Sequence, residues 1–229
     1  MSEKSTHKIQ SFVRRSGRLS AGQKFGLNEL WSQYGIDPIA ENTIDLDSIF
    51  KDKQAVILEI GFGNGDSLLQ MAINEPERNF LGIEVYEAGV GRLINEAYKH
   101  KLTNLKIIKE DAVEVLKNNI TDNSLSGFQL YFADPWHKKK HHKRRIVQNE
   151  FMDVISKKLI NGGFVHMATD WEHYAEQMME TLEAHAHFKN TTTAHNYLPR
   201  PERRPITKFE RRGQRLGHGV WDMIFTNEE

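Results

Sequence analysis

Three glycines at alternate positions, Gly61, Gly63 and Gly65, occupy the run Glu59-Ile60-Gly61-Phe62-Gly63-Asn64-Gly65, directly after the apolar stretch Ala55 to Ile60. Glycine has no side chain and tolerates positive φ, so such a turn between a strand and a helix lets a nucleotide approach the backbone closely. The dinucleotide pattern G-x-G-x-x-G needs a Gly at position 66, where this chain has Asp66. That pattern also aims helix N–H groups at an anionic pyrophosphate, whereas here Glu59 and Asp66 bracket the turn with negative charge. Acids suit a cofactor carrying an ammonium and a sulfonium, and point to S-adenosylmethionine. They count against a nicotinamide-dependent dehydrogenase, which the turn alone would allow.

Acids also follow the next two apolar runs. Glu84 ends the second, 19 residues beyond Gly65, where a carboxylate can accept both ribose hydroxyls. Asp111 follows the third and can take an adenine amino group. Either acid alone reads equally well as a helix N-cap or a solvated loop carboxylate. It is the recurrence of acids after the first three strands that points to a cofactor site.

After the fourth run comes Asp134-Pro135-Trp136, leading into His137-Lys138-Lys139-Lys140-His141-His142-Lys143-Arg144-Arg145. Asp134 stands at the carboxyl end of a central strand, near the switch point of the sheet, where ligands meet. On the residues alone it reads either as a ligand-facing acid or as the cap of the next helix, with Trp136 in the core. Asp170 follows the fifth run, and reads both as the N-cap of a helix starting at Trp171 and as a ligand-facing acid. His137, His141 and His142 sit among six Lys or Arg without a nearby carboxylate, a field hostile to a cation, so no metal is expected.

The elements that must position these residues alternate. Short apolar runs at 55–60, 79–85, 105–108, 128–133, 164–168 and 220–225 are separated by helix-like stretches at 65–74, 86–100, 112–118, 144–160 and 171–186. Alternation of this kind implies an α/β fold, with a mostly parallel sheet covered by helices on both faces. Residues 188–219 show no clear helix, and the final strand is expected to join an edge or insert antiparallel. Residues 1–50, with one short helix near Leu27 to Tyr34, read as a basic extension before a domain at 51–229.

The chain has 229 residues, 31 Lys or Arg against 31 Asp or Glu, and no Cys. The absence of Cys excludes disulfides, thiolate metal sites and cysteine nucleophiles. No segment approaches a transmembrane span and the start lacks the apolar run of a signal peptide, so a cytoplasmic protein away from the membrane is expected. Zero net charge taken whole argues against a polyanionic partner, yet the charges are sorted. Basic residues outnumber acids six to one in 1–24, six to none in 137–145 and seven to two in 200–215, which leaves the other 180 residues at −16. Converging, the three basic segments would form a face for a polyanion; apart, they are solvated stretches.

The ordered set of the glycine turn, Gly82-Ile83-Glu84-Val85, Asp134-Pro135-Trp136-His137-Lys138-Lys139 with Lys143-Arg144-Arg145, Ala168-Thr169-Asp170 and Thr207-Lys208-Phe209-Glu210-Arg211 closely resembles the bacterial tRNA (guanine-N7-)-methyltransferases, the TrmB family. The match runs over roughly residues 50 to 225. The resemblance implies a Rossmann-like class I S-adenosylmethionine-dependent methyltransferase fold and methylation of a variable-loop guanosine at N7, position 46 of tRNA, giving 7-methylguanosine. It assigns the acids Glu59, Glu84, Asp111 and Asp134 to the cofactor, beside Gly61, Gly63 and Gly65 of the turn, designates Asp134 catalytic, and assigns Lys138, Asp170, Thr207, Lys208, Phe209 and Glu210 to substrate. It assigns Lys140, His141, His142, Lys143, Arg144 and Arg145 to RNA. Asp134 is expected to act first, with Asp170 and Glu210 orienting the guanine. The expected partner is tRNA, with no obligatory protein partner and a monomeric or homodimeric chain. The alternative is a catalytically silent RNA-binding protein on the same scaffold.

Overall fold

The β-rich runs are strands and the amphipathic stretches between them helices, in a computed structural model that describes residues 10–13, 17–39, 42–50, 53–215, 217 and 219–228, with the backbone alone at 208, 209 and 214. The strands are β1 (Gly35–Ile36), β2 (Val56–Ile60), β3 (Asn79–Ile83), β4 (Leu105–Ile108), β5 (Leu125–Tyr131), β6 (Leu159–Thr169), β7 (Phe188–Asn190) and β8 (Trp221–Asn227). They form one sheet in the order β1-β4-β3-β2-β5-β6-β8-β7. Strands β1 to β6 pair in parallel, and β8 inserts antiparallel between β6 and β7. The final strand therefore takes the antiparallel course that was one of its two expected outcomes.

Alternate residues of the central strands go to opposite faces, and both faces are covered, so these strands read as continuous apolar runs. Ile57, Phe80 and Ile107 pack on one face against Leu68 and Met71 of α4 (Asp66–Asn74) and Val90, Leu93 and Ile94 of α5 (Glu87–Lys99). Leu58, Leu81 and Val165 pack on the other against α6 (Ala112–Asn118), α7 (Asn149–Lys158) and α8 (Glu172–Glu183), through Leu116, Ile155 and Met178. No helix among the described residues is long and apolar enough to cross a membrane.

Three elements depart from the sequence expectation. The stretch 144–160 is not one helix: a 3-10 turn occupies Lys139–Arg144, α7 begins at Asn149, and β6 already starts at Leu159. A further helix, α9 (Lys208–Arg215), lies where none was expected. Its sequence is almost wholly polar, so it carries no apolar stripe by which to be seen. The described residues before 51 hold α1 (Ala21–Glu29), α2 (Trp31–Tyr34), β1 and α3 (Leu46–Phe50), where one short helix was expected. Ser20 and Gln23 form a reciprocal cap at the start of α1. Gly26 of α1 lies so close to Gly91 of α5 that a Cβ there would sit 2.2 Å from the Gly91 carbonyl oxygen. Strand β1 extends the sheet beside β4, and Leu46 and Phe50 join the core.

Candidate active site

Strand β2 lies between β3 and β5, and the chain leaves β2 and β5 toward opposite sides, so the crevice beyond their carboxyl ends is the switch point of the sheet. An open cleft of about 200 Å³ lies there, lined among others by Gly61, Gly63, Glu84, Asp111, Phe132 and Asp134. Gly61, Gly63 and Gly65 all have positive φ, +72°, +57° and +77°. A Cβ on Gly61 or Gly63 would meet nothing within 4 Å, whereas one on Gly65 would lie 2.8 Å from Leu93. Two glycines thus bare the backbone to the cleft, and the third seats the turn on α5. Gly89 of α5 completes the cradle, since a Cβ there would come 1.8 Å from the Gly63 carbonyl oxygen.

The expected cofactor acids divide into two kinds. Glu84 lines the cleft with its carboxylate fixed by three backbone donors, Gly63 N–H at 2.8 Å, Val85 N–H at 2.7 Å and Tyr86 N–H at 2.9 Å. Asp111 also lines it while capping α6, Oδ1 accepting from Val113 N–H at 3.0 Å. Glu59 instead points into the sheet, 2% exposed, beside Gln129 on β5. Its Oε2 has no hydrogen-bond partner among the described residues. Burial, followed by the nearby Glu84 charge, raises its pKa to about 8, so it is neutral at pH 7. Asp66 is ion-paired with Arg92 at 2.6 Å. The negative bracket expected around the glycine turn is therefore absent, because one acid is protonated and the other paired.

Asp134 and Asp170 differ from all of these. Among the described residues neither carboxylate has a hydrogen-bond or ion-pair partner, and both are at least partly open to solvent. They follow adjacent strands, whose ends are tied by Phe132 N–H to Ala168 O at 2.8 Å. Asp134 lines the cleft between two non-glycine residues of positive φ, Phe132 at +54° and Trp136 at +46°. Such conformations persist where surrounding structure enforces them, as it does at functional sites. Asp170 does not cap α8: the N-cap position is Trp171, whose N–H is held by Thr169 Oγ1 at 3.3 Å.

The basic run is not uniform. Lys138, Lys140 and Lys143 are exposed, and His141 and His142 are half-buried. Arg145 is turned inward, 2% exposed, donating to Pro135 O at 2.8 Å and Gln177 Oε1 at 2.6 Å with its guanidinium over the Tyr174 ring. It is tied to the protein rather than presented to a phosphate. Arg144 stacks on Trp136 at 3.8 Å and donates to Gln10 O at 2.9 Å and Phe12 O at 3.3 Å. Trp136 Nε1–H adds a bond to Ser11 O at 3.2 Å. The strap so held, Ser11 to Val13, forms one wall of the cleft. Nothing local in the sequence marks this role.

Thr207 and Glu210 stand at the start of α9, where Thr207 Oγ1 accepts from Glu210 N–H at 3.1 Å. The side chains of Lys208 and Phe209 lie outside the described residues. Glu210, expected to orient guanine, is 1% exposed and clamped by Arg204 through bonds of 2.6 and 3.2 Å. Arg204, itself fully buried, also grips Asp222 at 2.6 and 2.8 Å. From Asp222 the network continues through His166 to the Tyr131 hydroxyl, each step 2.9 Å. Burial lowers the His166 pKa and outweighs the Asp222 bond. Asp222 itself is lowered, because the bonds from His166 and Arg204 outweigh burial. This network was missed because Arg204 sits in an arginine-rich segment that reads as surface charge.

The solved structure of the 16S rRNA methyltransferase KamB matches with a TM-score of 0.56 at 16% identity, over 94% of this chain and 97% of that one. Together with the strand order, it shows a Rossmann-like class I S-adenosylmethionine-dependent methyltransferase fold. A family model described as a putative methyltransferase matches residues 53–223. The tRNA (guanine-N(7)-)-methyltransferase of Aeromonas hydrophila is 55% identical over 218 residues, 95% of this chain and 92% of that protein. That of Pasteurella multocida is 53% identical over 218 residues, 95% of this chain and 85% of that protein. With more than half its residues shared over nearly its whole length, the chain belongs to the tRNA (guanine-N(7)-)-methyltransferase family.

Proposed function

We propose that this protein methylates N7 of a guanosine in the variable loop of tRNA, position 46, to give 7-methylguanosine, with S-adenosylmethionine as donor and no metal. The observation that carries the reading is Asp134, a carboxylate without a hydrogen-bond or ion-pair partner among the described residues, which lines the cleft across the switch point from the glycine turn. The cleft suits the donor: Gly61 and Gly63 leave backbone where a Cβ would fill space, and the fixed Glu84 and the capping Asp111 supply acceptors for ribose hydroxyls and an adenine amino group. S-adenosylmethionine supplies an electrophilic methyl group on a sulfonium.

Guanine N7 has an in-plane lone pair and no proton, so no residue has to remove one. What the protein contributes is alignment, together with negative charge near a purine ring that becomes cationic. Asp134 and Asp170, open at adjacent strand ends, are the groups available to hold the guanine and stabilise that charge. Glu210 acts from behind, through Arg204 and the placement of α9, and Glu59 supports the turn from within the sheet. Lys138, Lys140 and Lys143 offer phosphate contacts that position the tRNA, with the base read separately in the cleft.

Asp134→Asn tests the reading. The variant keeps its affinity for S-adenosylhomocysteine while single-turnover methylation of unmodified tRNA falls by a factor of about a hundred or more, the scale of one lost electrostatic contact in a transition state. Wild-type-like turnover would remove Asp134 from the chemistry. A wild-type protein that binds tRNA without transferring methyl would favour the catalytically silent alternative. Mapping 7-methylguanosine in tRNA from a strain lacking the gene locates the target nucleotide.

A further inference from the structure

Three of the four tryptophans have evident structural tasks. Trp31 packs against the core and donates its indole N–H to Asp37, Trp136 is covered by Arg144 and bonded to Ser11, and Trp221 packs on the core. Trp171 has none of these. It is 36% exposed, belongs to neither core cluster, and its indole N–H has no hydrogen-bond partner among the described residues. It occupies the N-cap position of α8 without a side-chain cap bond. A solvated indole gains nothing for a helix terminus, where Ser, Thr, Asn or Asp would add a bond to the frayed N–H groups.

Its one ring contact among the described residues is informative. The His137 ring meets it edge to face, with centroids 4.2 Å apart and planes at 72°. His137 belongs to the loop three residues after Asp134, and Trp171 directly follows Asp170, so this ring pair bridges the two loops that carry the open carboxylates. Exposed lysines at 138, 139 and 140 flank it. A flat aromatic face, an acid on the same loop and cations for the backbone are the parts by which proteins hold an unstacked base.

We propose that Trp171, steadied by His137, is the stacking platform for the target guanine, holding the face of the base while Asp134 and Asp170 address its edges. The inference rests on the tRNA-methylating reading above. It accounts for how a base withdrawn from its stacking in folded tRNA regains a stacking partner, a loss that extrusion otherwise leaves uncompensated.

The test compares Trp171→Leu with Trp171→Phe in steady-state and single-turnover methylation of an unmodified tRNA transcript. Leu keeps apolar bulk without a π face, whereas Phe keeps the face. Stacking predicts a roughly tenfold or greater loss of kcat/KM for Leu, recovery to within about threefold for Phe, and unchanged S-adenosylhomocysteine affinity and melting temperature in both. Equal activity of the Leu variant and wild type overturns the proposal, as does equal loss in Leu and Phe accompanied by a lowered melting temperature, which marks a structural role. If the wild-type protein itself transfers no methyl to tRNA, the functional reading fails instead, and the two failures are told apart by that control.

Discussion

What a carboxylate does here depends on what surrounds it more than on where it falls in the chain. Glu84, Glu59, Asp66 and Asp134 all lie at or near strand ends, yet one is fixed by three backbone donors, one is neutral, one is ion-paired and one is open. Glu59 has a thermodynamic consequence. Its folded-state pKa of about 8 lies above the unfolded value, so the native state holds the proton more tightly and stability falls as pH rises between the two values. Glu59→Gln is therefore expected to stabilise the unliganded protein increasingly as pH rises toward about 8, levelling off above it, by an amount on the order of a few kcal/mol. Thermal melts of both proteins against pH check this, and a pH-independent difference would refute it. Arg204 is the opposite case, a buried cation between two buried acids. Arg204→Met removes its bonds to both, leaving Asp222 with His166 and Glu210 with the longer Arg200 pair, and should cost about 3–5 kcal/mol in urea unfolding. Replacing an exposed lysine such as Lys140 should change stability by less than about 0.5 kcal/mol.

At the scale of elements, the glycine turn and α5 work as one unit. The turn needs positive φ at three positions, and α5 comes close enough to it that Gly89 touches the Gly63 carbonyl. Gly89→Ala, although on a helix where alanine is otherwise favoured, should push the turn toward the cleft. Calorimetric titration is expected to show at least a tenfold loss of S-adenosylhomocysteine affinity in a folded protein. A lone helix-propensity effect would instead stabilise by up to about 1 kcal/mol and leave affinity alone. Helix α9 is held differently: among its described side chains Glu210 ties it to the sheet, through the Arg204 clamp that also grips Asp222 of β8.

For the whole molecule, the neutral total conceals a division of labour. Three interior polar residues, Glu59, Gln129 and His166, lie side by side across β2, β5 and β6. The lysines of 138–143 stay in solvent, and the first basic segment meets the second where Arg144 holds Gln10 and Phe12. Charge removal at Lys138, Lys140 and Lys143 together should raise KM for tRNA and reduce the steepness of its dependence on log salt by up to about one unit per lost phosphate contact. S-adenosylhomocysteine affinity should be unchanged. Arg145→Ala should instead lower the melting temperature, because it breaks interior bonds and a ring contact rather than a phosphate contact. Binding and melting measurements on the two sets of variants separate these outcomes.

The alternation of strands and helices from Val56 to Glu183, the turn after β2 and the acids at successive strand ends were all legible in the sequence, because period, glycine spacing and charge type are local properties. The polar helix α9, the edge strand β1 and the break in 144–160 were not, since each owes its state to partners far along the chain. The same division runs through the site. Sequence chose the residue types at Glu59, Asp66, Arg145 and Glu210, but only the tertiary structure decided that these four are protonated, paired or buried while Asp134 and Asp170 stand open. Burial and pairing are set by what the fold brings alongside, and a carboxylate's charge follows from that environment rather than from its neighbours in sequence.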